Sequence, residues 1–175
     1  MKGARLRFGE REQAWCLAAN RWAAWRAVRV YFKLISRLGD GAFWYALMLV
    51  LALVGGPQGR IAALNMAIAG GIGTLLYRKL KHWTRRPRPF ASDARIRAWV
   101  APLDEFSFPS GHTLHAVGMS TVACHQFPAL AWLLVPFTVS VAASRVVLGM
   151  HYPSDVLAAI AIGLLLGLGT LSLAL

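Results

Sequence analysis

Apolar residues run in long uncharged stretches along this chain, and the charged positions between them are few. Asp40 and Arg60 bracket 19 uncharged residues, Arg60 and Arg78 bracket 17, Glu105 and Arg145 bracket 39, and 20 more follow Asp155. A helix of about 20 mostly apolar residues crosses a bilayer, with a range of roughly 17–25. The pattern predicts a first span from about Ala42 to Val54, closed by Gly55-Gly56-Pro57, and a second from about Ile61 to Leu80. A polar connection over 81–111, with Pro87, Pro89, Pro102 and Pro109, leads to a third stretch from about His112 to Gln126. A fourth covers Ala129 to about Val147, and the last begins near Pro153, a favoured first-turn residue. Gly70, Gly71, Gly73 and the glycines from Gly163 to Gly169 stand where helices would approach closely.

From about Gln13 to Arg37 the chain reads as one helix too charged to span. Arg21, Arg26, Arg29, Lys33 and Arg37 alternate with Trp15, Trp22, Trp25, Val28, Tyr31, Phe32 and Leu34, a mixture suited to the membrane interface. Gly39-Asp40-Gly41 then breaks the chain. The expectation is an all-α, polytopic membrane helix bundle with five transmembrane helices, or six if the first helix crosses. It has two parts: a basic and aromatic interfacial segment over residues 1–40 and a transmembrane domain over residues 41–175.

Composition sharpens this picture. Apolar residues make up 57% of the 175 and charged residues 15%, against roughly 45–50% and about 25% in a soluble domain. That excludes a soluble globular enzyme, a disordered chain and a disulfide scaffold. A net charge of +12 would suggest nucleic acid in a soluble protein. Here nine basic residues fall in residues 1–40 and eight between Arg78 and Arg97. Basic blocks beside apolar spans read as membrane-surface and topology signals, so no nucleic-acid partner is expected. Cys16 and Cys124 match no metal or redox spacing. The N-terminus lacks the order of a signal peptide, so the spans themselves are expected to do the targeting.

Three polar clusters remain, each at the end of a span: Lys81 to Pro89 (KHWTRRPRP), Pro109 to His112 (PSGH) and Ser144 to Asp155 (SRVVLGMHYPSD). Counting spans brings all three out on one side of the membrane. Lys81, Arg88 and Arg145 are cations matched to phosphate oxygens. Ser110 and Gly111 sit where a helix begins, so their backbone N–H groups could face an anion. Of His112 and His151, one can attack phosphorus while the other protonates the leaving oxygen. Asp155, four residues after His151, could hold the tautomer that leaves the attacking nitrogen unprotonated. Together these residues suit phosphoryl transfer without a metal. Arg85 and Arg86 lie inside the first cluster as possible headgroup contacts. His115 is expected to face the bundle interior, His82 and His125 to be structural or exposed, and the loop carrying Asp104 and Glu105 to cap an entrance.

On these residues the chain resembles the type 2 phosphatidic acid phosphatase (PAP2) superfamily, which also includes the vanadium haloperoxidases. The superfamily signature K-x6-RP, PSGH and SR-x5-H-x3-D is met at Lys81, Arg88-Pro89, Pro109-Ser110-Gly111-His112, Ser144-Arg145, His151 and Asp155. The resemblance implies a bacterial membrane lipid phosphatase that needs no cofactor. His151 would be the nucleophile that forms a phosphohistidine, Asp155 its partner, and His112 the residue that protonates the leaving group and then activates water. Lys81, Arg88, Ser110, Gly111 and Arg145 would bind the phosphoryl group.

The implied partners are the bilayer and a lipid substrate, with undecaprenyl diphosphate ahead of phosphatidylglycerophosphate and phosphatidic acid. Lipid A phosphates are a further family substrate. The implied location is the bacterial inner membrane with the site on the periplasmic face. Against that face stands the Lys/Arg excess on the site's side, which normally marks the cytoplasm; a spanning first helix would move Lys2, Arg5, Arg7 and Arg11 away. The readings from other classes are a vanadate-dependent haloperoxidase and a non-catalytic lipid-binding or transport protein.

Overall fold

The structure is a computed structural model that describes residues 2–172, and every regular element among these is helical. In chain order they are α1 (Lys2–Trp22), α2 (Arg26–Leu38), α3 (Ala42–Val54), α4 (Gly56–Thr84), the single turn α5 (Pro89–Ser92), α6 (Gly111–Gln126), a 3-10 turn at Pro128–Leu130, α7 (Ala131–Val147) and α8 (Pro153–Leu171). Their ends follow local chemistry. Gly56 and Pro57 open α4, and Arg85 closes it in the left-handed region at φ 46°, with Pro87 beyond. Pro153 opens α8, and the Asp155 carboxylate accepts the Tyr152 backbone N–H at 2.9 Å, so an orphan donor at the helix start is satisfied.

α6 is the central helix. It packs against α4, α7 and α8, and its buried residues include Leu114, Val117, Met119, Val122 and Ala123. The faces turned outward are apolar instead of polar: Leu49, Leu53 and Val54 on α3, Leu75 on α4, Trp132 and Val139 on α7, and Leu157, Leu165 and Leu168 on α8 are all exposed. An apolar exterior around a helix bundle is what a bilayer requires.

Three stretches are long and apolar enough to cross a membrane: Gly56–Ser92, Pro128–Val147 and Pro153–Leu171. A fourth results if α2 and α3, bent by 51° at their junction, cross as one. By length and composition alone this is fewer than the five or six crossings expected. Helices α3 and α6 stand where the sequence predicts spans, but with 13 and 16 residues they fall short by length. At 1.5 Å per residue, 13 residues rise only about 20 Å, against a hydrocarbon core of about 30 Å.

The single N-terminal helix is corrected, to two. Trp25 takes an extended conformation between α1 and α2, and Arg29 turns back to donate to the carbonyls of Ala23 and Ala24 at 3.1 and 3.3 Å, which caps the end of α1. Asn20 ties α1 to the bundle, donating to the carbonyls of Arg97 and Val147 at 2.9 and 3.0 Å.

Glycine permits the closest contacts. A Cβ added at Gly163 would lie 2.7 Å from the Leu114 carbonyl oxygen, and one at Gly167 2.8 Å from that of Gly118, so α8 lies directly on the α6 backbone. Gly70 and Gly73 make room instead for the side-chain ends of Met119 and Leu114, whereas Gly71 and Gly169 face open space and are not the packing positions expected of them. Gly163→Val should therefore cost about 1–3 kcal/mol through overpacking, read as a lower melting temperature in detergent. Gly169→Ala should leave melting unchanged or raise it, and a Gly163→Val protein that melts normally would contradict this helix packing.

Candidate active site

The end of α4, the start of α6, the end of α7 and the start of α8 meet at one end of the bundle, so the three polar clusters converge there. They enclose a cavity of about 1140 Å³ whose wall includes Lys81, Arg88, Gly111, His112, Arg145 and His151. The topology count that put the clusters on one side is thus matched by the fold. On its other flank the cavity is lined by Trp44, Tyr45 and Met48 of α3 and by Ala67, Gly70, Gly71 and Thr74 of α4, an apolar cleft leading away from the charged end.

His151 lies in the loop between α7 and α8 and is buried, with 2% of its surface exposed. Its Nε2 is 3.4 Å from Arg88 Nη1. A guanidinium can only donate, so this contact makes Nε2 the acceptor and leaves the ring proton on Nδ1. Nδ1 faces Asp155 Oδ2 at 3.6 Å, beyond hydrogen-bond reach, and has no other partner among the described residues. Burial pushes the His151 imidazole well below its ordinary value, and the charges of Arg145, Arg88, Lys81 and His112 push the same way. His151 is therefore a neutral imidazole with its lone pair on the nitrogen nearest the cations.

The three cations are held from behind. Arg88 donates to the carbonyls of Asp104 and Met150 at 3.0 and 2.9 Å. Arg145 donates from Nη1 to Ser36 Oγ, while its buried Nε has no partner among the described residues. Asp104 bridges Lys81 and Arg88 at 2.5 and 2.8 Å. Burial alone would raise the Asp104 carboxyl; the hydrogen bond and charge of Lys81, joined by Arg88, outweigh it and hold the carboxyl below its usual value. The loop carrying Asp104 does reach the cavity, but its carboxylate is more than a cap, since it sits on the two cations expected to take phosphate.

Other expectations are corrected. Ser110 does not line the cavity: its hydroxyl pairs with Thr113 Oγ1 at 2.9 Å and its N–H donates to the Asp155 carbonyl at 3.3 Å, so only Gly111 of this pair reaches the wall. Arg86 is ion-paired to both Glu12 and Asp155 at 2.6 Å and stands off the cavity wall. Arg85 is exposed and stands off the cavity wall. His115, half-buried, lines the cavity as well, close to Thr74 Oγ1 at 3.1 Å and the Gly111 carbonyl at 2.9 Å.

Two carboxylates went unread in the sequence. Asp40 pairs with His112 Nε2 and lines the cavity; the span count could have found it, since the start of α3 falls on the same side as the three clusters. Glu12 lies on α1, which is not among the helices long and apolar enough to cross a membrane, so the span count carries no such signal for it. Among the described residues no group of three or more His, Cys, Asp or Glu is arranged to hold a metal.

The geometry brings a buried His151 together with three cations and His112 at one cavity. Comparison with known proteins agrees with the sequence signature. The family model described as PAP2 superfamily matches residues 58–174. Undecaprenyl-diphosphatase BcrC of Bacillus subtilis (strain 168) is 31% identical over 124 residues, covering 70% of this chain and 64% of that protein. Phosphatidylglycerophosphatase B of the same organism is 36% identical over 124 residues, covering 59% and 53%. The match thus spans less than two thirds of either relative's length. A crystal structure of a transmembrane PAP2-type phosphatidylglycerolphosphate phosphatase from Bacillus subtilis superposes with a TM-score of 0.77 at 26% identity, covering 95% of this chain and 85% of that one.

Nitrogen NMR of ring-labelled protein checks the state of His151. Its resonances, assigned by their loss in His151→Ala, should stay those of a neutral ring with the proton on Nδ1 down through pH 6.5, about the ordinary midpoint of histidine. Protonation at pH 6.5 would contradict the electrostatics of this site.

Proposed function

The chain belongs to the PAP2 superfamily, and we propose that it is an integral-membrane lipid phosphatase that works without a metal through His151. The observation that carries this reading is a buried His151 whose Nε2 lies 3.4 Å from Arg88 Nη1, in a cavity walled by the cations Lys81, Arg88 and Arg145.

In the proposed reaction the substrate phosphate displaces the Asp104 carboxylate from Lys81 and Arg88, and Arg145 offers its unpartnered N–H. His151 Nε2 forms a bond to phosphorus as the bond to the lipid oxygen breaks, and His112, paired with Asp40, passes a proton to that oxygen. Water then attacks the phosphohistidine, giving its proton to His112, and the P–N bond breaks to release phosphate. The positive cluster stabilises the charge that builds on the equatorial oxygens, and removing one contact of this kind typically costs 10²–10³ in rate. Ser110 acts through the backbone, tying the start of α6 to Asp155, and Gly111 lets the phosphate come close to the helix start.

The apolar cleft between α3 and α4 supports a lipid substrate, with the phosphate at the charged end and the tail along Trp44, Tyr45, Met48 and Ala67. Among lipids we favour undecaprenyl diphosphate, since BcrC carries that activity in its name, then the phosphatidylglycerophosphate of the other relatives. We place the protein in the bacterial inner membrane with the site on the periplasmic face, residues 41–175 as the phosphatase unit and residues 1–40 as the segment that rests at its charged end. A reporter fused to the C-terminus, which lies at the opposite end of α8 from the site, should then score as cytoplasmic; an external reporter would reverse the orientation.

The reaction is tested by phosphate release from detergent-solubilised protein over a panel of lipid phosphates. Selective release from one class is expected, insensitive to EDTA, blocked by vanadate and lowered at least about 10³-fold in His151→Ala. Release that survives in His151→Ala, or that needs an added metal, would overturn the mechanism. Absence of release from every lipid would favour the non-catalytic reading, and bromide oxidation with added vanadate would favour the haloperoxidase.

A further inference from the structure

Asp155 is fully buried, and within hydrogen-bond distance its carboxylate meets the Tyr152 N–H through Oδ2 and Arg86 Nη1 through Oδ1, at 2.9 and 2.6 Å. Arg86 also donates from Nη1 to Ser154 Oγ at 2.7 Å, and its guanidinium stacks on the Tyr152 ring at 4.0 Å. Its second nitrogen, Nη2, donates to Glu12 Oε2 at 2.6 Å. The other Glu12 oxygen accepts the Ser154 N–H at 2.9 Å, in the first turn of α8.

Glu12 is 1% exposed, so α1 places a buried carboxylate against the element that carries the histidine's partner. Beside it on α1, Cys16 Sγ approaches the His151 carbonyl oxygen at 3.8 Å. A buried glutamate is costly unless it is paired, and here every polar contact it makes leads to Asp155 or its neighbour.

We propose that Glu12 and Arg86 are positioning residues for Asp155: Glu12, reaching in from α1, holds the Arg86 fork, and the fork fixes the carboxylate with Oδ2 turned to His151 Nδ1. This rests on the phosphatase reading above. Glu12 lies outside residues 58–174, the region that the family model matches. Arg86 lies inside that region, at one of the unspecified positions of the K-x6-RP signature. Without Glu12, the guanidinium has one carboxylate instead of two to hold it, and Asp155 can turn away from the imidazole. The loss then falls on the chemical step, since neither residue lies on the cavity wall where the substrate binds.

The test uses the full chain in detergent, assayed for phosphate release on its best lipid phosphate. Glu12→Gln should lower kcat on the order of 10–100-fold with KM nearly unchanged, by analogy with the loss seen when outer partners of metal-ligating histidines are removed. Arg86→Lys, which keeps the charge but loses the fork, should do the same, and it serves if Glu12→Gln folds poorly. Glu10→Gln, exposed on the same helix, should leave kcat unchanged. The deciding readout is the double variant: in an Asp155→Asn background, Glu12→Gln should cost no more than about twofold further, because what it positions is already gone. A normal kcat in both Glu12→Gln and Arg86→Lys, or losses that multiply with Asp155→Asn, would overturn the proposal while leaving the phosphatase reading intact. An inactive wild-type protein would overturn that reading instead.

Discussion

Everything at the charged end of this bundle depends on keeping three buried cations close together. Two unit charges about 6 Å apart repel by roughly 3 kcal/mol at an effective dielectric of about 20. Lys81, Arg88 and Arg145 would not assemble beside apolar helices unless other groups offset that repulsion. Asp104 bridges Lys81 and Arg88, Asp40 sits on His112 at the same cavity, and carbonyls of Asp104 and Met150 take the Arg88 donors. Burial of His151 lowers its pKa most, and the same cation field pushes it further down, so the charge that makes the site hard to fold also favours the neutral ring a nucleophile needs.

The site can hold this charge because the helices around it are packed closely together. Gly163 and Gly167 lay α8 on the backbone of α6, and the Ser110 N–H reaches the Asp155 carbonyl, so the start of one helix is fixed against the start of the other. His112, one residue into α6, and His151, just before α8, thereby both come to the wall of one cavity. A bilayer asks only for an apolar exterior; the close glycine seam is what sets the two histidines relative to each other.

Much of this was legible in the sequence, for identifiable reasons. Long uncharged stretches give the positions of α3, α4, α6, α7 and α8, and counting them puts the three polar clusters on one side. What escaped is contact between elements far apart in the chain. The break at Trp25 depends on Arg29 folding back to cap α1. The ties of Ser110 to Thr113 and the Asp155 carbonyl appear only once α6 and α8 are packed. Asp104 looked like a loop residue because nothing nearby in sequence could bind it. Arg86 looked like a surface cation because Glu12 is 74 residues away. Length and composition pick out fewer candidate spans than the uncharged stretches do, because α3 and α6, at 13 and 16 residues, are short for a single crossing.

The central claim is that His151 Nε2 bonds to phosphorus, and trapping the intermediate tests it most directly. Protein mixed with phosphorus-labelled lipid phosphate and quenched within the turnover time should carry label that is stable to base and labile to acid. Peptide mapping should place that label on His151. Label on His112 or on another residue, or steady turnover with no protein-bound phosphate at any quench time, would contradict it.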